Sequence, residues 1–194
     1  MTEPSSWAVE PVNSWASFNW DYKYRQNLVT LIMNHSMGGS VLDVGCLQGQ
    51  YIQKIRSVGF RGKYKGIDIN PEFIAVCKRN QPDESFEVGD VLELKEAHDS
   101  WDMVVCSHVL DHLYYLERPM HELFRVAKRY VVLGVMYAPH DSEVTHDHDH
   151  INHFYSLAEI FGTVPGGWKP IKSNIFKAEW DAKVNIIQCV WKKQ

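Results

Sequence analysis

The sequence predicts an α/β protein, a mostly parallel sheet with helices on both faces that ends in an antiparallel hairpin. Three observations carry this. Apolar, β-branched runs alternate with helix-length segments from residue 40 onward. The run 41–49, Val-Leu-Asp-Val-Gly-Cys-Leu-Gln-Gly, reads as a buried strand that breaks at glycine and leads into a helix. The last two strand-like segments, about 170–180 and 183–192, lie too close together for a crossover helix and suit a hairpin.

Each element has a local reason. Residues 22–36 place Leu28, Leu31 and Ile32 at helical spacing and stop before Gly38-Gly39. Strand 40–45 is followed by helix 48–57, closed by Gly59, and then by strand 63–68. Helix 71–80 has Asn70 to cap it and Pro71 at its first position. A short strand at 85–88 ends in Gly89-Asp90; strand 102–107 leads to helix 117–127 and strand 130–136. Residues 138–153 read as a polar stretch without regular structure, followed by a short helix near 156–162.

The chain has 194 residues, enough for one domain with a full core over 22–194, and an aromatic-rich tail or lid over 1–21. A net charge of −4 leaves no basic footprint, which disfavours nucleic acid as a partner. Cys46, Cys77, Cys106 and Cys189 form no CxxC pair and read as buried free thiols in a reducing cytoplasm. No secretory signal is recognisable, and no apolar run approaches the ~20 residues needed to span a bilayer, so no membrane association is expected.

The strand–turn at 41–49 has a partner. Residues 64–69 (Tyr-Lys-Gly-Ile-Asp-Ile) form a second strand ending in an acid, 25 residues after Asp43. A glycine turn after one strand and an acid closing the next is how α/β folds hold a nucleoside, with the acid on the ribose hydroxyls. A dinucleotide site needs G-x-G-x-x-G to admit a pyrophosphate. Here Gly45 and Gly49 are four apart with no glycine between them, which suits a cofactor without phosphate.

On these residues the chain resembles the class I S-adenosylmethionine-dependent methyltransferases, in their small-molecule branch, over residues 22 to 194. Residues 41–49 are similar to the first motif of that family, Gly66-Ile67-Asp68-Ile69 to the second, Val88-Gly89-Asp90-Val91 to the third, and residues 101–113 to the fourth strand and its loop. Leu47 stands where the family has its middle glycine, and the Pro-Gly-Gly that usually precedes the fifth strand is absent. The resemblance implies a Rossmann-like sheet of seven strands and S-adenosylmethionine as cofactor, with S-adenosylhomocysteine as product. It implies cofactor contacts at Asp43, Gly45, Cys46, Gly49, Asp68, Ile69, Asp90, Val91 and Ser107. Arg25 is placed to pair with the methionine carboxylate, and Tyr22 or Tyr24 to close over it; an edge-packed helix fits the same segment.

Methyl transfer is an in-line displacement, so holding the partners at near-attack distance and excluding water supplies much of the rate. An oxygen or nitrogen acceptor also needs a base within reach. His108, directly after the fourth strand, fits that role, or that of a helix-start residue bonded to the backbone. Asp111 and His112 follow at helical spacing and suit a solvated or structural role. Residues 145–153 (Thr-His-Asp-His-Asp-His-Ile-Asn-His) fit a metal site, a substrate-facing loop or a solvated surface loop. They match no specific zinc spacing, and no metal is assigned. In the family this segment lines the acceptor pocket, which favours His150 and His153 over His146 as catalytic groups. The reading is methyl transfer to oxygen or nitrogen of a small molecule. A cofactor-binding protein without catalysis, and an RNA or protein methyltransferase, are the alternatives.

Overall fold

The computed structural model describes residues 19–147, 150–179, 181 and 183–194, with backbone alone at 147 and 150. Its first half runs α1 (Lys23–Ser36), β1 (Val41–Val44), α2 (Gln50–Ser57), β2 (Tyr64–Asp68), α3 (Pro71–Asn80), β3 (Ser85–Val88) and β4 (Trp101–Ser107). A 3-10 turn at Leu110–His112 precedes α4 (Glu117–Val126) and β5 (Ala127–Ala138). Then come β6 (Glu143–Asp147), β7 (His150–Ser156), α5 (Leu157–Gly162), β8 (Trp168–Lys177) and β9 (Asn185–Lys193).

Strands β3-β2-β1-β4-β5 lie side by side and parallel. β9 runs antiparallel along β5 from Tyr130↔Lys192 to Tyr137↔Asn185, and β8 runs antiparallel on β9. These are the seven strands the sequence predicts. Strand order reverses between β1 and β4, which opens a crevice at their carboxyl ends, where open α/β sheets bind ligands.

Local chemistry explains the boundaries. Asn70 caps α3 by accepting the Glu72 N–H at 2.9 Å, with Pro71 at the first helical position. α5 starts with a capping box in which Ser156 and Glu159 bond each other's backbone N–H groups. α1 has no side-chain cap of its own; its Lys23 N–H is taken instead by Glu179 Oε1 at 2.8 Å, from the turn after β8. One face of the sheet packs Val104, Leu123, Phe124 and Trp191; the other packs Ile32, Ile52, Ile74 and Val105. The four cysteines are buried free thiols.

One prediction is corrected. Residues 138–153 are not an irregular stretch: β5 continues to Ala138, and β6 and β7 form an antiparallel hairpin paired from Glu143↔Phe154 to Asp147↔His150. β4 accompanies β5 only as far as Gly134, and β7 takes up Tyr137 and Ala138 beyond that point. The hairpin therefore stands above the end of β4, beside the loop that follows it. β6 is exposed from Glu143 to His146, so it lacks the apolar alternation by which strands are recognised.

Candidate functional site: a glycine turn, two buried acids and a histidine–aspartate pair

The turn after β1 is built from left-handed residues. Gly45 has φ +83° and Gly49 +77°, and Leu47 adopts φ +49° although it carries a side chain. A left-handed non-glycine residue costs about 1–2 kcal/mol. Here the Leu47 N–H is held at 2.9 Å by Asp68 Oδ2. Gly45 is required for contact as well as conformation, because a Cβ there would sit 2.0 Å from Val109 Cγ2. Cys46 is buried in the turn, and its neighbour Leu47 offers its carbonyl to Cys77 Sγ at 3.1 Å.

Two acids stand behind this turn. Asp43 is 4% exposed and accepts the Tyr64 hydroxyl at 2.8 Å. Burial pushes its carboxyl up to about 7, with neighbouring Asp68 adding to the rise and the Tyr64 hydrogen bond opposing it. Asp68 also accepts the Asn70 N–H at 2.9 Å. Its carboxyl is raised to about 6 by burial, against the backbone N–H groups of Asn70, Leu47 and Ile69. Asp90, half-buried, accepts the Leu92 N–H at 2.9 Å and so shapes its own turn; Val91 is buried beside it.

At the end of β4, Ser107 Oγ is buried. It is placed to hydrogen-bond the Tyr51 phenol, which burial holds far above its ordinary pKa. A Cβ on Gly134 would fall 2.5 Å from Ser107 Oγ, so glycine at 134 makes the room this hydroxyl occupies. Elevated carboxyls and a buried hydroxyl around one turn fit a ligand bearing cationic and hydroxyl groups. A pyrophosphate is a poor match for the same surroundings.

His108 follows with φ +56°, its N–H donated to the Gly134 carbonyl at 2.8 Å. Its Nδ1 is 2.9 Å from Asp111 Oδ2, and the Tyr24 ring meets it edge-on with centroids 5.1 Å apart. Asp111 is fully buried, and its Oδ1 accepts the Met136 N–H at 2.6 Å. Nothing in the sequence marks this burial; an aspartate three residues after a histidine at a strand end is the only signal available. Trp20, Tyr22 and Arg25 close the same end: Trp20 meets Tyr51 edge-on at 5.6 Å, and the Arg25 guanidinium covers the Tyr22 and Tyr24 rings.

The other histidines face the hairpin. His112 Nδ1 donates to the Ile151 carbonyl at 2.8 Å. His153, 7% exposed, stacks on Tyr155 and donates through Nδ1 to the Leu113 carbonyl at 3.1 Å. Tyr155 donates to that same carbonyl at 2.5 Å. The His150 side chain, residues 148–149 and residues 1–18 of the expected tail or lid lie outside the described residues. His146 is exposed. Among the described residues no three His, Cys, Asp or Glu side chains are placed to hold a metal ion. No helix among them is long and apolar enough to cross a membrane.

Fold, strand order and turn together define a nucleoside-binding α/β domain. The profile of the family described as "Methyltransferase domain" matches residues 35–184, and the chain belongs to this family, the class I S-adenosylmethionine-dependent methyltransferases. It is 30% identical over 95 residues to ajmaline N-methyltransferase of Rauvolfia serpentina, a match covering 45% of this chain and 32% of that protein. The chain thus spans about a third of the curated relative it matches. A methyltransferase structure from Methanosarcina mazei superposes with TM-score 0.71 at 18% identity, covering 84% of this chain and 96% of that one. The 1,6-didemethyltoxoflavin-N1-methyltransferase of Burkholderia thailandensis, with S-adenosylhomocysteine bound, gives 0.70 at 14%, covering 86% and 77%.

Proposed function

We propose that this chain moves a methyl group from S-adenosylmethionine to a nitrogen or oxygen of a small-molecule acceptor. The observation that carries the reading is the left-handed turn at Gly45–Gly49, gripped by Asp68 and backed by the buried Asp43 carboxyl. Bound there, S-adenosylmethionine supplies an activated methyl on positive sulfur. Asp68 and Asp90 take the nucleoside, between Ile69 and Val91. Asp43 and the Ser107 hydroxyl serve the amino-acid end, over Gly45, Cys46 and Gly49. Trp20, Tyr24 and Tyr51 exclude water from that end, which strengthens each electrostatic contact.

His108 serves as the base that takes the acceptor's proton. His153 holds the acceptor-side loop through its bond to Leu113, and His150 extends the same hairpin. Two of the three named relatives, ajmaline N-methyltransferase and 1,6-didemethyltoxoflavin-N1-methyltransferase, are N-methyltransferases by name, which supports nitrogen and a small acceptor. The test is incubation with methyl-labelled cofactor and a panel of nitrogen heterocycles, amines and phenols. Label transferred to a nitrogen heterocycle supports the reading. Tight binding of S-adenosylhomocysteine with no transfer to any acceptor would favour a binding role instead.

A further inference from the structure

We propose that Asp111 is a positioning residue that fixes the tautomer of His108, placing the ring proton on Nδ1 and making Nε2 the basic nitrogen at the acceptor end of the site. The inference rests on the reading of His108 as the base.

The geometry leaves Asp111 little other work. Its side chain is 0% exposed, with one oxygen on His108 Nδ1 at 2.9 Å and the other on the Met136 N–H at 2.6 Å. Burying a carboxylate is expensive, and removing one partner of such a pair leaves a charge uncompensated. Capping the Met136 N–H alone would need only a neutral acceptor. The charged oxygen that remains is spent on the imidazole. A carboxylate only accepts, so the nitrogen facing it must carry the proton.

The ring is held on other sides too. The His108 backbone N–H is tied to the Gly134 carbonyl, the left-handed backbone sets the direction of the Cβ, and Tyr24 blocks one approach to the ring. Met136 belongs to β5 and is registered opposite Ile186 of β9, so Asp111 is anchored to the central sheet rather than to the loop. An imidazole held in this way has its rotation and its proton position settled before the acceptor arrives. That pre-organisation is what a base needs to act without rearrangement.

Asp111→Asn discriminates because its geometry is nearly the same. The asparagine carbonyl keeps the Met136 bond, and its amide NH2 then faces Nδ1, which must become an acceptor; the ring proton moves to Nε2. The experiment uses the full chain labelled with 15N-histidine, saturated with S-adenosylhomocysteine, with His108 assigned by its loss in His108→Gln. Two-bond proton–nitrogen correlations are expected to show the Nδ1–H form in the native protein and the Nε2–H form in Asp111→Asn. A native His108 in the Nε2–H form overturns the proposal, and that reading stands even if the variant does not fold. So does an unchanged tautomer in a folded Asp111→Asn.

Activity separates this inference from the reading beneath it. With an acceptor from the panel, Asp111→Asn is expected to lower kcat about 10²-fold or more, with S-adenosylhomocysteine affinity unchanged. If His108→Gln retains native kcat, His108 is not the base, although the tautomer still reports on Asp111. If His108→Gln loses activity while Asp111→Asn keeps both kcat and tautomer, the positioning role alone fails.

Discussion

Asp68 Oδ2 accepts the Leu47 N–H at 2.9 Å, so the acid that ends β2 holds the turn that ends β1. The same carboxylate takes the Asn70 N–H through its other oxygen. One side chain thereby sets the shape of the turn and opens α3. Asp68→Ala leaves both amides without this acceptor, at about 1–3 kcal/mol each if they remain buried. The expected outcome is a lower denaturation midpoint and at least a tenfold loss of S-adenosylmethionine affinity by calorimetry. A variant of native stability and affinity would show that the turn holds itself.

The acidity of Asp43 and Asp68 gives a pH dependence of definite sign. Their folded values of about 7 and 6 lie above the ordinary carboxyl range. The folded chain therefore holds protons that the unfolded chain releases from about pH 4 upward. These two groups favour the ligand-free fold in acid, and that contribution is lost as pH rises through 6 and 7. Binding runs the other way, because a cationic cofactor needs the ionised carboxyls. S-adenosylmethionine affinity is expected to fall as pH drops from 8 to 5, while the unliganded melting temperature rises over the same interval. Calorimetric titrations and thermal melts at matched pH check both slopes.

Asp43→Asn separates the two effects. Asparagine can still accept the Tyr64 hydroxyl, but it carries no charge that must be buried. At pH 8 the unliganded variant is expected to melt several degrees higher than the native chain, since about 1 kcal/mol moves the midpoint of a domain of this size by 2–4 °C. It is also expected to bind the cofactor about tenfold or more weakly. Unchanged affinity would remove Asp43 from the donor site.

Gly45→Ala tests two costs together. The φ of +83° penalises any side chain by about 1–2 kcal/mol, and the new methyl would overlap Val109 Cγ2. Val109→Ala, added to Gly45→Ala, relieves the overlap and leaves the backbone strain. The double variant is therefore expected to recover part of the stability lost by the single one. A denaturant-melt cycle with strictly additive losses would mean that the two residues do not press on each other.

Glu179→Gln should loosen the start of α1. Its carboxylate supplies the only described cap on the Lys23 N–H, and loss of charge at a helix N-terminus costs about 0.3–1 kcal/mol. Faster amide exchange over residues 23–26 is the expected readout, with exchange in β4 and β5 unaltered.

Most strands were legible because burial on both faces demands continuous apolar runs, as in 41–44 and 130–136. Helix starts were legible where a side chain does the capping, as at Asn70. The β6–β7 hairpin was not, because its first strand, Glu-Val-Thr-His-Asp, is exposed from 143 to 146 and shows no apolar alternation. The turn after β1 is legible from Gly45, whose positive φ favours glycine, and from Asp68, whose carboxylate holds the Leu47 N–H. The histidine–aspartate pair after β4 is only half legible. His108 stands out at a strand end, but the burial of Asp111 depends on Met136, 25 residues away and brought close only by the fold.

The Leu113 carbonyl receives both the His153 imidazole and the Tyr155 hydroxyl, while His112 reaches back to Ile151. Two segments some forty residues apart are thus stitched into a single unit. Under the proposed function, moving a new acceptor preference onto this scaffold would mean transplanting 107–113 and 150–156 as a matched cassette. A chimera carrying only one of them inherits donors and carbonyls cut for a missing counterpart. Val109 belongs to the first of these segments and packs over Gly45, so it would have to be kept to leave the glycine turn intact.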